Sequence, residues 1–272
     1  MNRPLILTVL TVCSSLTLFA PALAASHSSQ KPTLKQAKEL MAGVCSSGAT
    51  TGACSPCPGF ADSGFDDGMT LEAVTYGKFL KGKDTYALLD LSGCEPHVNN
   101  FGGSVLLRWQ GLTRWKFVKY APGYRTENCL KYPAQDGRDL LLCEAGYAGM
   151  GTVISSLLLE DLSQKEAAGQ QLFSTSDSSG ACLESGSVQE LLEWKQIKLN
   201  GDRYPDLRAT VKSGVYTRDT TQKDACSVVL KAGSVRTYTL EYSFDGAKFT
   251  PTQATRGFLK QLLKDNPDLL GY

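Results

Sequence analysis

Acid–base or nucleophilic chemistry of the Ser-His-Asp or Cys-His type would have to run through His27 or His97, the only histidines in this chain of 272 residues. His27 stands in a polar leader, Ser26 to Lys31, that reads as mobile. His97 stands in a loop running from Gly93 to Gly103 that is rich in Pro, Asn and Gly, the kind of segment that carries function when a rigid scaffold holds it. Equally, a histidine in such a turn can simply face solvent. No Gly-x-Ser-x-Gly elbow supplies a nucleophile. Cys54-Ser55-Pro56-Cys57 has the spacing of a redox pair, but such a pair opens a helix after a strand. Here Gly48 to Ala53 precedes it and Pro58-Gly59 follows. Together with Cys45 and Cys94 the same two cysteines would make a four-thiolate set suited to tetrahedral zinc. Trp109, Trp115, Tyr120 and Tyr124 cluster around one expected hairpin. They could stack on sugar rings or fill a partner's pocket; the alternative is that they pack between sheets.

Compartment bears on the cysteine chemistry. Met1 to Ala24 reads as a secretory signal, with Arg3 near its start, an apolar stretch from Leu5 to Phe19, and Ala22-Leu23-Ala24 as a small-x-small cleavage site. The expected location is therefore periplasmic or extracellular. Nine cysteines occur in the chain, and removal of Cys13 with the signal leaves an even set: Cys45, Cys54, Cys57, Cys94, Cys129, Cys143, Cys182 and Cys226. In an oxidising compartment such a set is a disulfide framework before it is a metal or redox site. Local spacing favours Cys129 with Cys143 and Cys182 with Cys226. The other four are expected to pair among themselves in an open order.

Loss of Arg3 brings basic and acidic residues into balance, and no basic stripe is visible, so nucleic acid is not an expected partner. No other run approaches the roughly 20 apolar residues of a spanning helix, so no membrane span is expected.

Several elements must position these side chains. Thr33 to Val44 reads as a helix, with Thr33 and Gln36 as a capping box and Leu34, Ala37, Leu40, Met41 and Val44 on one face. Residues 45–68 read as a stapled loop, neither strand nor helix. From Met69 the texture is short apolar runs broken by Gly, Asp or Pro, in three groups of four spanning about 69–125, 126–180 and 186–254. In each group the second run follows a polar turn with an aspartate at its end: Asp84, Asp139 and Asp206. The third and fourth runs form hairpins, with Gly111 and Asp245-Gly246 as turns in the first and third groups. Arg256 to Asp265 has an apolar stripe, Phe258, Leu259, Leu262 and Leu263, expected to pack as a helix over an open sheet end.

These repeats resemble the FG-GAP or VCBS repeats of extracellular β-propellers, including the integrin alpha chain type. Their loop runs Asp-x-Asp/Asn-Gly-Asp-Gly-x-Pro-Asp-Leu. This chain matches it at Asn200, Gly201, Asp202, Pro205, Asp206 and Leu207, and departs from it at Lys198, in place of the first aspartate, and at Arg203, in place of the second glycine. The resemblance covers about 180 residues in rhythm and about ten in motif. It implies calcium at Asn200, Asp202 and Asp206. Lysine at the first ligand position removes one of the six to eight oxygens such a cation takes. The alternative is an Asx-type turn made by Asn200 and Asp202, with Asp206 capping the following strand.

The resulting expectation is an all-β fold of three four-stranded antiparallel units, propeller-like. Residues 25–68 form a disulfide-rich N-terminal cap, 69–254 the repeats, and 255–272 a C-terminal helix and tail. A closed propeller takes four to eight blades, so three units imply an open array or association of two chains. The expected function is non-catalytic binding of a protein or glycan through loops around 93–103, 121–128 and 146–151, with His97, Trp109 and Trp115 among the candidate contacts. The rival is a hydrolase of carbohydrate or peptide that uses dispersed carboxylates, whose pairing no sequence spacing reveals.

Overall fold

A computed structural model of the chain describes residues 28–61, 68–94, 103–111, 114–122, 126, 128–164, 169–222 and 226–266. The expected signal, His27, the His97 loop and Tyr124 lie outside them.

Thr33 starts the first helix, α1 (Leu34–Met41), through the expected capping box: Gln36 N–H donates to Thr33 Oγ1 at 3.3 Å, and Thr33 N–H to Gln36 Oε1 at 2.9 Å. Ala37, Leu40 and Met41 are its buried face. Two expectations need correcting here. The leader is held at residues 28–30, because Ser28 N–H donates to the Cys129 carbonyl at 2.7 Å and Gln30 exchanges backbone hydrogen bonds with Val74 at 2.9 Å. The segment after α1 also contains a helical turn, α2 (Gly48–Thr51), and a short strand, β1 (Ala53–Cys54). The Cys45–Cys54 disulfide folds this segment back, and Gly48 lies so close to the Met41 backbone that a side chain has no room.

The chain is mainly β. One antiparallel sheet takes β1, β2 (Met69–Gly77), β3 (Tyr86–Gly93), β4 (Gly103–Trp109) and β5 (Trp115–Ala121) in chain order. The second begins with β6 (Cys129–Pro133), β7 (Asp139–Gly149), β8 (Thr152–Glu160) and β9 (Gln170–Asp177). It continues through β10 (Ser185–Ile197), β11 (Asp206–Arg218), β13 (Arg236–Phe244) and β14 (Phe249–Pro251), with β12 (Val228–Leu230) pairing β11. Three separate four-stranded sheets are thus not what forms. The second and third groups fuse where Val188 of β10 pairs with Asp177 of β9, which satisfies backbone groups that two free edges would leave exposed. Beyond that pair the strands part, and α3 (Gln253–Asp265) covers the gap. Gln189 of β10 donates to the Leu262 carbonyl at 2.9 Å, and Asn266 donates to the Ser176 carbonyl of β9 at 3.4 Å.

Strand alternation sorts the apolar residues into three cores. Ala87, Leu89 and Leu91 of β3 and Val105 and Leu107 of β4 pack with Leu40 and Met41 of α1. Tyr86, Leu88 and Leu106, on the other face, pack with Cys129, Leu141 and Cys143. Leu140 and Leu142 then point away from those residues, into a core with Leu157, Leu207, Ala209, Leu240 and Tyr242. Consequently the first parts of β3 and β7 are buried on both faces and carry the apolar runs Tyr86–Leu89 and Leu140–Cys143. In β11 the outer positions are Arg208, Thr210 and Lys212, so the stack ends on a polar face. Each fully buried Leu contributes about 1.5–3 kcal/mol.

Four disulfides form: Cys45–Cys54, Cys57–Cys94, Cys129–Cys143 and Cys182–Cys226. The last two follow the expected local pairing. No helix among the described residues is long and apolar enough to cross a membrane.

Candidate functional site

The turns that precede β3, β7 and β11 and the β4–β5 and β13–β14 hairpins project from one end of the strands, linked by contacts such as Trp109 N–H to the Thr85 carbonyl and Gln135 N–H to the Gly246 carbonyl, both 2.9 Å. The Asn200 loop is one of these turns. Asn200 Oδ1 accepts from Asp202 N–H at 3.4 Å, and Asp202 Oδ1 from Tyr204 N–H at 2.8 Å, so both side chains cap the turn itself. Asp206 is fully buried; its two oxygens accept from Leu199 N–H at 2.7 Å and Phe244 N–H at 3.0 Å. Lys198 donates its ammonium protons to the carbonyls of Asp202 and Tyr204. A cation needs free oxygens, and here the ammonium holds the two carbonyls while N–H groups hold the Asn200, Asp202 and Asp206 side-chain oxygens, so the loop as folded does not fit bound calcium. No cluster of three or more His, Cys, Asp or Glu able to hold a metal occurs among the described residues.

The three aspartates that precede β3, β7 and β11 differ in role. Asp139 Oδ2 accepts from Lys78 N–H at 2.8 Å, a tie between the sheets. Asp84 instead faces solvent, 3.8 Å from Arg108. It lies in a cleft of about 570 Å³ lined by Lys83, Asp84, Thr85, Arg108, Trp109 and Gln110, with Gly111 in its left-handed turn conformation. That volume is within the usual range of ligand pockets. Most of the neighbouring aromatics are packed: Trp115 meets Tyr76 at 5.9 Å, and Phe60 meets both Phe117 and Tyr120 at 4.9 Å between ring centroids. Trp109 ends this row, 5.0 Å from Trp115 and 38% exposed. Trp115 and Tyr120 therefore pack, but in the core shared with α1 and the disulfide-rich segment and not between the two sheets as expected, while Trp109 stays partly exposed. A flat apolar ring beside an ammonium, a guanidinium, a carboxylate, an amide and a hydroxyl can stack on a sugar and hydrogen-bond its substituents.

A second cleft, of about 390 Å³, centres on Arg138, which sequence reasoning did not single out. Its guanidinium donates to both oxygens of Asp161, at 2.5 and 3.1 Å, and to Asp136 Oδ2 at 2.7 Å. Burial alone would raise the Asp161 carboxyl, but hydrogen bonds from Arg138 and Ser163 hold it at about 2. Asp136 is lowered chiefly by its hydrogen bond from Arg138. Both carboxylates are thus ionised acceptors, and neither is a proton donor for glycoside cleavage near neutral pH. The Asp-Gly-Arg turn was the sole sequence signal; Asp161 follows β8, and only folding brings it to Arg138.

Of the other expected contacts, His97 lies outside the described residues, as does much of the 93–103 and 121–128 loops. Cys54 and Cys57 are in different disulfides, so they form neither a redox pair nor, with Cys45 and Cys94, a zinc site. Comparison with known protein families, curated proteins and solved structures finds no match.

Proposed function

We propose that this protein is an exported, non-catalytic binding module that takes a glycan at the Trp109 cleft. The observation that carries this reading is the exposure of Trp109 at the end of an otherwise packed aromatic row, inside a cleft rich in polar side chains. Exposing an indole forgoes burial free energy that the other rings of the row obtain, and a sugar face restores it. Export is supported by the four disulfides together with the apolar N-terminal segment in the sequence. A stacked, propeller-like reading and its FG-GAP likeness belong to the proposal too. Their support is the alternation that sends Leu140 and Leu142 into one core and Leu141 and Cys143 into the next.

The test is a tryptophan-fluorescence titration of the mature, oxidised protein with a panel of oligosaccharides, each incubation also assayed for released sugars. A saturable change that Trp109→Ala abolishes and that is retained in Trp194→Phe, a change at a partly buried tryptophan of β10 against the second sheet's core, with no product formed, is the expected result. Product release would favour the hydrolase instead. Binding undiminished in Trp109→Ala would remove this cleft from the reading.

A further inference from the structure

We infer that the ligand of the Trp109 cleft is an anionic glycan, one whose sugar carries a carboxylate or sulfate; this rests on the glycan reading above. The first ground is the charge of the cleft, where Lys83 and Arg108 face a single carboxylate, Asp84. The Arg108–Asp84 contact is long, 3.8 Å, and both side chains are more than 40% exposed, so it neutralises the guanidinium poorly.

The second ground is independent of the cleft's outline. Arg108 on β4 and Lys116 on β5 stand directly opposite each other in the antiparallel register, as do Trp109 and Trp115. Side chains opposed in this way project to the same face with their Cβ atoms about 5 Å apart, and like charges so placed destabilise the sheet. Lys116 is exposed and has no carboxylate partner among the described residues. The two cations therefore share one face and the tryptophans the other, and Arg108 and Trp109, adjacent in β4, both line the cleft. An anionic group bound beside Arg108 relieves the repulsion while its sugar ring stacks on Trp109. A neutral sugar would leave the paired cations as they are.

The experiment titrates the oxidised full-length mature protein with a short oligogalacturonate, with the same oligomer after methyl esterification of its carboxylates, and with a sulfated oligosaccharide. At least one charged oligomer should bind about tenfold or more tightly than the ester, because hydrogen bonds to charged groups are individually worth about that much. Binding should weaken as salt rises, and Arg108→Gln or Lys83→Gln should each weaken it by about tenfold. Lys116→Gln should lower affinity for the charged oligomer while raising the melting temperature of the free protein. A purely structural lysine would not move the two in opposite directions. If the methyl ester binds as well as the charged oligomers, the charge inference fails while the glycan reading stands. If no oligosaccharide in the wider panel binds either, both fall.

Discussion

Lys198 and Tyr204 are joined across the Asn200 turn, ammonium to carbonyl, at 2.6 Å, and the same ammonium reaches the Asp202 carbonyl at 2.8 Å. Lys198 thus engages two backbone oxygens of the turn. Lys198→Asp creates an Asp-x-Asn-x-Asp series of the kind that binds calcium. Without calcium this variant should lose about 1.5–3 kcal/mol, the usual worth of hydrogen bonds to a charged group, and millimolar calcium should raise its melting temperature. The wild type should melt identically with calcium or EDTA; a calcium-dependent rise there would contradict the lysine-filled loop.

Asp206 should matter for folding more than for binding. Its carboxylate holds Leu199 on one side and Phe244 on the other with no exposure to water. Asp206→Ala leaves two buried N–H groups unsatisfied and should cost about 2–4 kcal/mol in chemical denaturation. Asp202→Ala loses the part-buried turn bond from Tyr204 N–H and should cost about 1 kcal/mol. Unchanged melting in Asp206→Ala combined with lost glycan binding would reverse this assignment.

The Arg138–Asp161 pair sets an acid limit. With a folded carboxyl at about 2 and an unfolded one near 3.9, the folded state binds fewer protons between those values. The stabilisation is complete above about pH 4 and disappears as pH falls through about 2, amounting to roughly 1–2 kcal/mol after allowance for solvent screening. Denaturation of wild type and Asp161→Asn should differ by that amount at neutral pH and converge near pH 2. A difference that persists undiminished at the acid end would exclude ionisation as its origin.

Glu160 works in the opposite sense. Burial raises its carboxyl, and Lys119 pulls it back in part. Because the folded state takes up this proton at higher pH than the unfolded one, acidification from neutral stabilises the protein through this group, and the gain is complete below the unfolded value near 4.3. Asp161 lies beside it in sequence, and Lys119 donates to the Leu162 carbonyl at 2.8 Å, so that the ammonium keeps a partner without Glu160. Glu160→Gln should therefore melt higher than wild type at pH 7 and show a flatter response down to pH 4. A lower melting temperature at pH 7 would mean that attraction to the Lys119 charge outweighs desolvation.

Local interactions were the legible ones. The α1 capping box is readable because Thr33 and Gln36 are three residues apart, and Cys129–Cys143 because its partners face each other across the short β6–β7 turn. The C-terminal helix was likewise visible as an apolar stripe, although Thr252 caps it one turn earlier than expected. By contrast, β12 is a three-residue run whose strand character exists only beside β11. The presence of a lysine at position 198 was visible; where its ammonium points was not.

The sequence by itself determined the alternating strands, the aspartate turns, the Cys129–Cys143 disulfide and the two helices that flank the strands, because each depends on residues close in the chain. Tertiary structure decided the rest: which face of β7 meets which core, the fusion of two groups through Val188 and Asp177, the clasp of Arg138 by Asp161, and the exposure of Trp109 while Trp115 packs inward. Those outcomes depend on residues from separate strands competing for the same buried space and the same unpaired backbone groups, a competition that chain spacing does not express.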